Sequence, residues 1–140
     1  MTDFVIDANI LMAILISGKA SCRPLLTHYN FFLPDFVLIE IEKHKNVIKS
    51  KTKMQNDELL RWSYFVFSKL TILPRYALSQ ESIDKSVKLL ENIDLKDTAC
   101  VALAMQLDLI LLTRDKPLYE GLRKQGFRKV ILFEDFLEKI

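Results

Sequence analysis

Cysteine is scarce in this sequence, since the 140 residues include only Cys22 and Cys100. The two lie far apart and form neither a C-x-x-C pattern nor a cysteine–histidine ligand spacing, which excludes a disulfide framework and a structural zinc site. His28 and His44 do not form an H-x-x-x-H pair, so zinc is not indicated by the histidines either. A P-loop of the form G-x-x-x-x-G-K-[ST] is also missing, which excludes nucleotide binding of that kind.

The chain also lacks a basic and hydrophobic leader, and it lacks an uninterrupted run of about 18 apolar residues. We therefore expect a cytoplasmic protein with no membrane association. Half of the residues are hydrophobic, which is enough for one substantial core, and the length suits a single domain over residues 1–140. The formal net charge of +2 is too small to indicate a nucleic-acid partner by itself.

Short apolar runs alternate with longer segments that have helical periodicity. Because each strand candidate is a continuous apolar run, the pattern predicts an α/β fold with a parallel sheet covered on both faces. The predicted strands cover residues 3–6, 30–35, 109–113 and 129–133, and a connector over residues 71–79 includes a short extended piece. The segment 36–50 is predicted to form one helix, and a further helix begins at Asn56 or Asp57.

Acidic side chains follow two of the predicted strands directly. Asp7 comes after the first strand, and Asp115 follows the strand 109–113 with one residue between, so both belong to the carboxyl edge of the sheet, where open α/β sheets bind ligands. Glu40, on the helix after the second strand, and Asp97, in the first turn of a later helix, can face the same edge. Each acid also has a simpler explanation: Asp7, Asp115 and Asp94 suit helix N-caps.

Glu40 has its own simple explanation, an exposed ion pair with Lys43 or a contact with His44 on the same helix. The combination of four acids at one sheet edge favours a ligand, because clustered carboxylates repel one another unless a cation holds them. Magnesium and manganese are the divalent cations that prefer oxygen ligands and bind together with substrate phosphates. The residues therefore predict a carboxylate site for Mg²⁺ or Mn²⁺.

Three stretches in this order resemble the PIN domain family, the nuclease fold of VapC-type toxins. They are "VIDANIL", "PDFVLIEIEKH" and "DLKDTACVALAMQLDLILLTRDKPL", and with the chain length they extend the resemblance over essentially the whole sequence. The resemblance implies a three-layer α/β/α sandwich with a central parallel sheet of about five strands. Many members have glycine where this chain has Arg114, a departure that affects the loop beside Asp115 and leaves the acids intact.

The resemblance also implies roles for individual residues. Asp7, Glu40, Asp97 and Asp115 would form the catalytic metal site, with Asp94 as an additional acid and with Asn9 and Thr113 in support. It implies an Mg²⁺- or Mn²⁺-dependent endoribonuclease, RNA as substrate, and a homodimer as a frequent assembly. An antitoxin or other inhibitor protein would be a partner if the chain is a toxin, and the number of metal ions stays open.

Basic residues near these acids are candidates for RNA binding. Arg114 and Lys116 flank Asp115 and can bind a phosphate or form surface ion pairs. The stretch 43–53 contains five lysines and no acid, and it indicates either a solvated helix face or a phosphate track that includes Lys43, Lys45 and Lys49. Two other functions stay open: a non-catalytic PIN-like module that binds RNA or protein, and a receiver-like signalling domain.

Overall fold

The computed structural model describes residues 3–18 and 22–139. In this part of the chain five parallel strands form one sheet in the order β3-β2-β1-β4-β5, which places β1 at the centre. Val5 of β1 pairs with Phe32 on one side and with Leu111 on the other. The strands are β1 (Asp3–Ile6), β2 (Asn30–Pro34), β3 (Leu70–Leu73), β4 (Ile110–Thr113) and β5 (Val130–Leu132).

Helices connect the strands and cover the sheet, as parallel strand order requires. Two single-turn 3₁₀ helices, Arg75–Ala77 and Leu95–Asp97, complete the connections. No helix within residues 3–18 and 22–139 combines the length and apolar character needed to cross a membrane. The α-helices are α1 (Ala8–Ser17), α2 (Cys22–His28), α3 (Phe36–Lys43), α4 (Lys45–Lys51), α5 (Asn56–Ser68), α6 (Gln80–Leu90), α7 (Thr98–Leu107), α8 (Lys116–Lys124) and α9 (Phe133–Glu138).

The core lies between the sheet and the helices packed on it. Helix α7 contacts β1, β2 and β4 and in turn packs against α6. Its buried residues Ala102 and Ala104 are small, which lets the helix approach the strands closely. Helix α1 contacts β4 and also packs against α3, α4 and α5. The predicted α/β sandwich with a five-stranded parallel sheet is therefore confirmed.

One predicted helix is wrong in its extent, because the segment 36–50 forms two helices that meet at His44. The N–H of His44 is shared between the carbonyls of Glu40 and Ile41, and its ring Nδ1 hydrogen-bonds the Glu40 carbonyl at 2.8 Å. Its φ of −105° departs from the helical value, so the regular helix is interrupted there. Helix α4 consequently carries its lysines on an element separate from the helix that bears Glu40.

Candidate active site

Asp7 occupies the end of the central strand and begins helix α1. Its Oδ1 accepts a hydrogen bond of 3.0 Å from the Ile10 N–H, and its Oδ2 accepts one of 3.1 Å from the Thr113 hydroxyl. Only 6% of the residue is exposed. Burial raises the pKa of Asp7 above its ordinary value, the bonds from Ile10 and Thr113 oppose that effect, and the nearby Asp115 adds to it. The strand-to-helix junction thus holds this carboxylate in a fixed orientation.

Thr113 joins the ends of β1 and β4. The hydroxyl that donates to Asp7 also accepts a 3.1 Å hydrogen bond from the Asp115 N–H, and Thr113 is fully buried. The Asp115 Oδ1 accepts a 3.0 Å bond from the Leu118 N–H and so caps α8. Because β1 and β4 are adjacent parallel strands, this one threonine sets the relative positions of the two aspartates.

Asp97 approaches the same edge from the turn that precedes α7, and it differs from the other acids in having an unsatisfied oxygen. Its Oδ2 is buried and has no hydrogen-bond partner among the described residues. Burial, together with repulsion from Asp7, Asp94 and Asp115, raises the pKa of Asp97 to about 7. Lys96 lowers it in part. The cost of ionising Asp97 is therefore the clearest electrostatic feature of this edge.

Asp94 makes local contacts with the following turn. Its Oδ1 accepts a 3.1 Å hydrogen bond from the Lys96 N–H, and its Oδ2 lies 3.5 Å from Lys96 Nζ. The capping interaction that the sequence allowed for Asp94 is thus present. Asp94 still contributes to the field at Asp97, which places it near the other acids as a secondary member.

Two adjoining cavities contain the four principal acids. A cavity of about 140 Å³ is lined by Asp7, Glu40 and Asp97 together with Asn9. A second cavity of about 370 Å³ is lined by Asp115 and again by Asn9, so the two share a wall. Asn9 is exposed there, and its carboxamide makes no hydrogen bond to any residue that the structure describes.

The donor set fits a hard divalent cation in its chemistry. Within the described ranges, no three histidine, cysteine, aspartate or glutamate side chains are spaced to hold one metal ion, so the acids lie near one another without forming a closed cage. The four principal acids offer only oxygen ligands. The buried, unpartnered Oδ2 of Asp97 destabilises the fold unless a cation or a hydrogen-bond donor contacts it. Mg²⁺ and Mn²⁺ supply that charge and accept oxygen ligands.

The cations beside Asp115 lie at the mouth of the site. Arg114 is exposed and lines the cavity that contains Asp115. Lys116 is 3.9 Å from Glu134, a contact between exposed side chains of small energetic value that leaves the ammonium available to a phosphate. Both residues therefore remain candidates for substrate contact.

The lysines of the stretch 43–53 divide into two groups. Lys43 lies 3.8 Å from Glu40, and Lys45 lies 3.1 Å from Glu42, so both are in exposed ion pairs, while Lys49 is exposed on α4. The lysine that lines a site cavity is Lys51, beside Asp115 and Arg114. Lys51 belongs to the lysine run seen in the sequence, but it was not among the three lysines singled out there, because the sequence does not show which lysine lies beside Asp115.

Lys96 is a second cation that the sequence reasoning missed. It lines the cavity with Asp7, Glu40 and Asp97, and the nearby acids raise its pKa, first Asp94 and then Asp97 and Asp115. Its position between Asp94 and Asp97 in the sequence was the available signal. A lysine there partly neutralises the acids and is a further candidate for contact with a phosphate.

Solved structures with the same fold include a toxin–antitoxin complex from Klebsiella pneumoniae, at 20% identity over 91% of this chain and 94% of that chain, with a TM-score of 0.60. PAE2754 from Pyrobaculum aerophilum is 15% identical over 99% of this chain and 88% of that chain, with a TM-score of 0.68. VapBC2 from Rickettsia felis, bound to a DNA fragment from its promoter, is 17% identical over 94% of this chain and 97% of that chain, with a TM-score of 0.58.

Comparison with curated protein sequences found no match. The solved structures have identities that establish the fold alone, so the family rests on a separate comparison. The family model described as "PIN domain" matches residues 5–133, which is nearly the whole chain. The chain therefore belongs to the PIN domain family.

Proposed function

We propose that this protein is a metal-dependent endoribonuclease that hydrolyses RNA phosphodiester bonds at Asp7, Glu40, Asp97 and Asp115. The observation that carries the proposal is the buried, unpartnered oxygen of Asp97 beside the other acids at the carboxyl edge of the sheet. Such an arrangement destabilises the fold, and clusters of this kind are typical of functional sites. Membership of the PIN domain family supports the same activity.

Each residue has a defined part in the proposed mechanism. Asp7, Glu40, Asp97 and Asp115 would hold Mg²⁺ or Mn²⁺, with Asp94 beside them. When bound, the cation lowers the pKa of a water molecule and offsets charge on the phosphoryl oxygens. Thr113 and the Ile10 N–H orient Asp7. Arg114, Lys116 and Lys96 would bind the phosphates that flank the cleaved bond.

We further propose that the chain acts as a toxin with an antitoxin partner. The support is its fold similarity to a toxin–antitoxin complex and to VapBC2. The partner would be an inhibitor protein that covers the site when both are present. A homodimer is proposed from the family resemblance.

Cleavage of end-labelled RNA by the purified protein tests the proposed activity. Single-stranded and structured RNAs are incubated with Mg²⁺, Mn²⁺ or EDTA, and cleavage is expected only with a divalent cation. Asp7→Asn is expected to lower the rate at least about a hundredfold, since even the outer partners of metal ligands contribute factors of 10–100. RNA binding, measured by fluorescence anisotropy, should be retained.

The matched control is Asp3→Asn, a substitution at the opposite end of the same strand. Asp3 accepts a 2.7 Å hydrogen bond from Asn30 and lies away from the carboxyl edge, so this variant should cut like the wild type. Equal cleavage by Asp7→Asn and the wild type would reject the proposed site. RNA binding without cleavage by any variant would instead favour the non-catalytic binding module.

A further inference from the structure

A large cavity lies next to the acidic site and has no assigned role. It has a volume of about 640 Å³, within the range of roughly 300–1,000 Å³ that small-molecule sites occupy. Helices α1, α2 and α9 form its walls, and Arg114 and Lys116 lie at its border. Most of the walls are apolar, with Ile14, Leu25, Phe133 and Leu137 among the lining residues.

This cavity adjoins the cavity that contains Asp115. Ala13 and Arg114 line it and also line the neighbouring cavity that contains Asp115. A ligand that extends from the acids past Arg114 would therefore enter the apolar cavity within a short distance. Arg114 stands at the junction, where a guanidinium can bind a phosphate on either side.

We propose that this cavity binds one nucleobase of the RNA strand, adjacent to the phosphate that is cleaved. The inference rests on the proposed nuclease function and names a part of its substrate contact. A nucleobase has apolar faces and hydrogen-bonding edges, and single-stranded RNA is bound by placing unstacked bases on apolar surfaces with the phosphates against cations. The cavity has the corresponding parts, with apolar walls inside and cations at the mouth.

The polar groups of the cavity favour a base over an aliphatic ligand. Glu134 lies in the wall, and its carboxylate can accept hydrogen bonds from the N–H groups of a base edge. Its charge is partly offset by Lys116 at 3.9 Å. The Ser17 hydroxyl donates to the Ile14 carbonyl at 3.3 Å and lies 3.2 Å from the Cys22 sulfur, and its oxygen adds a second group that can accept. A base edge can hydrogen-bond both groups, whereas an aliphatic chain can hydrogen-bond neither.

Binding of labelled hexanucleotides with one abasic position tests the proposal. Six RNAs, each lacking the base at a different position, are compared with the intact RNA by fluorescence anisotropy in EDTA, where no metal-dependent cleavage occurs. Loss of the base that enters the cavity should weaken binding about tenfold, and the other positions should have much smaller effects. Equal effects at all six positions would overturn the proposal.

Two variants connect the effect to this cavity. Ala13→Leu places a larger side chain in it, and all seven RNAs should then bind with the affinity of the most weakened one. Leu137→Ala shortens an exposed wall residue and should weaken the intact RNA about threefold. Leu107→Ala is the matched control, since Leu107 is similarly exposed, at 37% against 44%, but does not line the cavity. Position dependence that survives in Ala13→Leu would refute the proposal.

Circular dichroism identifies any variant that fails to fold, and Leu137→Ala then provides the test if Ala13→Leu does not fold. Cleavage by the same proteins with Mn²⁺ separates the two proposals. Absence of cleavage together with a single sensitive base would reject the nuclease and keep the base site. If both variants cleave RNA at the wild-type rate and no single base affects binding, the base site is rejected. The cavity would then be a candidate site for another ligand, such as an apolar peptide.

Discussion

Asp97→Asn is expected to stabilise the metal-free protein at pH 8 while removing its activity. The pKa of Asp97 is raised from 3.8 to about 7, so the folded state binds this proton more tightly than the unfolded state does. Stability therefore falls as the pH rises from about 4 to 7, and the full loss is present above 7. Asparagine has no such titration, and its amide can donate to the neighbouring carboxylates.

The expected size follows from that pKa difference. At about 1.36 kcal/mol per unit, the shift from 3.8 to about 7 corresponds to about 4 kcal/mol. Asp97 is partly exposed, so solvent screening reduces the effect, and we expect about 2 kcal/mol at pH 8. At pH 5, where Asp97 is still protonated in the folded state, the difference between variant and wild type should be less than half as large.

Urea unfolding in EDTA at pH 5 and pH 8 measures this difference, with the fluorescence of Trp62, the only tryptophan, as the probe. Asp84→Asn is the control, because Asp84 is exposed on α6 and its replacement should change stability by less than about 0.5 kcal/mol. Adding Mg²⁺ at pH 8 should stabilise the wild type more than Asp97→Asn. A variant that is no more stable than the wild type at pH 8 would refute the reasoning.

Three further substitutions test other contacts. Thr113→Val removes the hydroxyl that bonds Asp7 and should lower the free energy of unfolding by about 1–3 kcal/mol in urea titrations, whereas Thr113→Ser should lower it less. Gly18→Ala should cost about 1–2 kcal/mol in the same assay, because Gly18 ends α1 at a φ of 53° and a Cβ would overlap Met54. Arg114→Ala should reduce the slope of log affinity for single-stranded RNA against log salt by about 0.7 in anisotropy titrations, the value for one lost phosphate contact.

The local elements of the fold were accessible from the sequence because they depend on neighbouring residues. The apolar runs before Asp7 and before Arg114 predicted strands that the structure places at Asp3–Ile6 and Ile110–Thr113. Helix α2, Cys22–His28, was not predicted, since seven residues with only two buried leucines give little periodicity. The break at His44 depends on hydrogen bonds that no hydrophobic pattern reports.

The sequence predicts the positions of some acids of the candidate site more directly than those of others. A residue that directly follows a parallel strand lies at the carboxyl edge by construction, so Asp7 and Asp115 could be placed from the sequence alone. The strand order, which makes β1 and β4 neighbours, is set by tertiary packing and could only be assumed. Which acid has the greatest cost of ionisation depends on burial, and the sequence did not distinguish Asp97 from the others.

Helix capping and metal binding are not competing roles for these aspartates. An ionised carboxylate has about four lone-pair positions, and Asp7 uses one for the Ile10 N–H and one for the Thr113 hydroxyl. Asp115 uses one for the Leu118 N–H, so both keep positions for a cation. The caps fix where these carboxylates lie before any ion arrives, because they form within the strand-to-helix junctions.

Asp97 has the complementary role because it makes no capping hydrogen bond and keeps a buried oxygen without a partner among the described residues. In the proposed metal site, the buried oxygen of Asp97 would therefore gain most from a bound cation, and Asp7 and Asp115 would determine where that cation lies. Position and affinity are thus supplied by different residues. Burial raises the pKa of both Asp97 and Asp7, but the hydrogen bonds from Ile10 and Thr113 offset part of the cost at Asp7, which helps this cluster to persist beside a well-packed core.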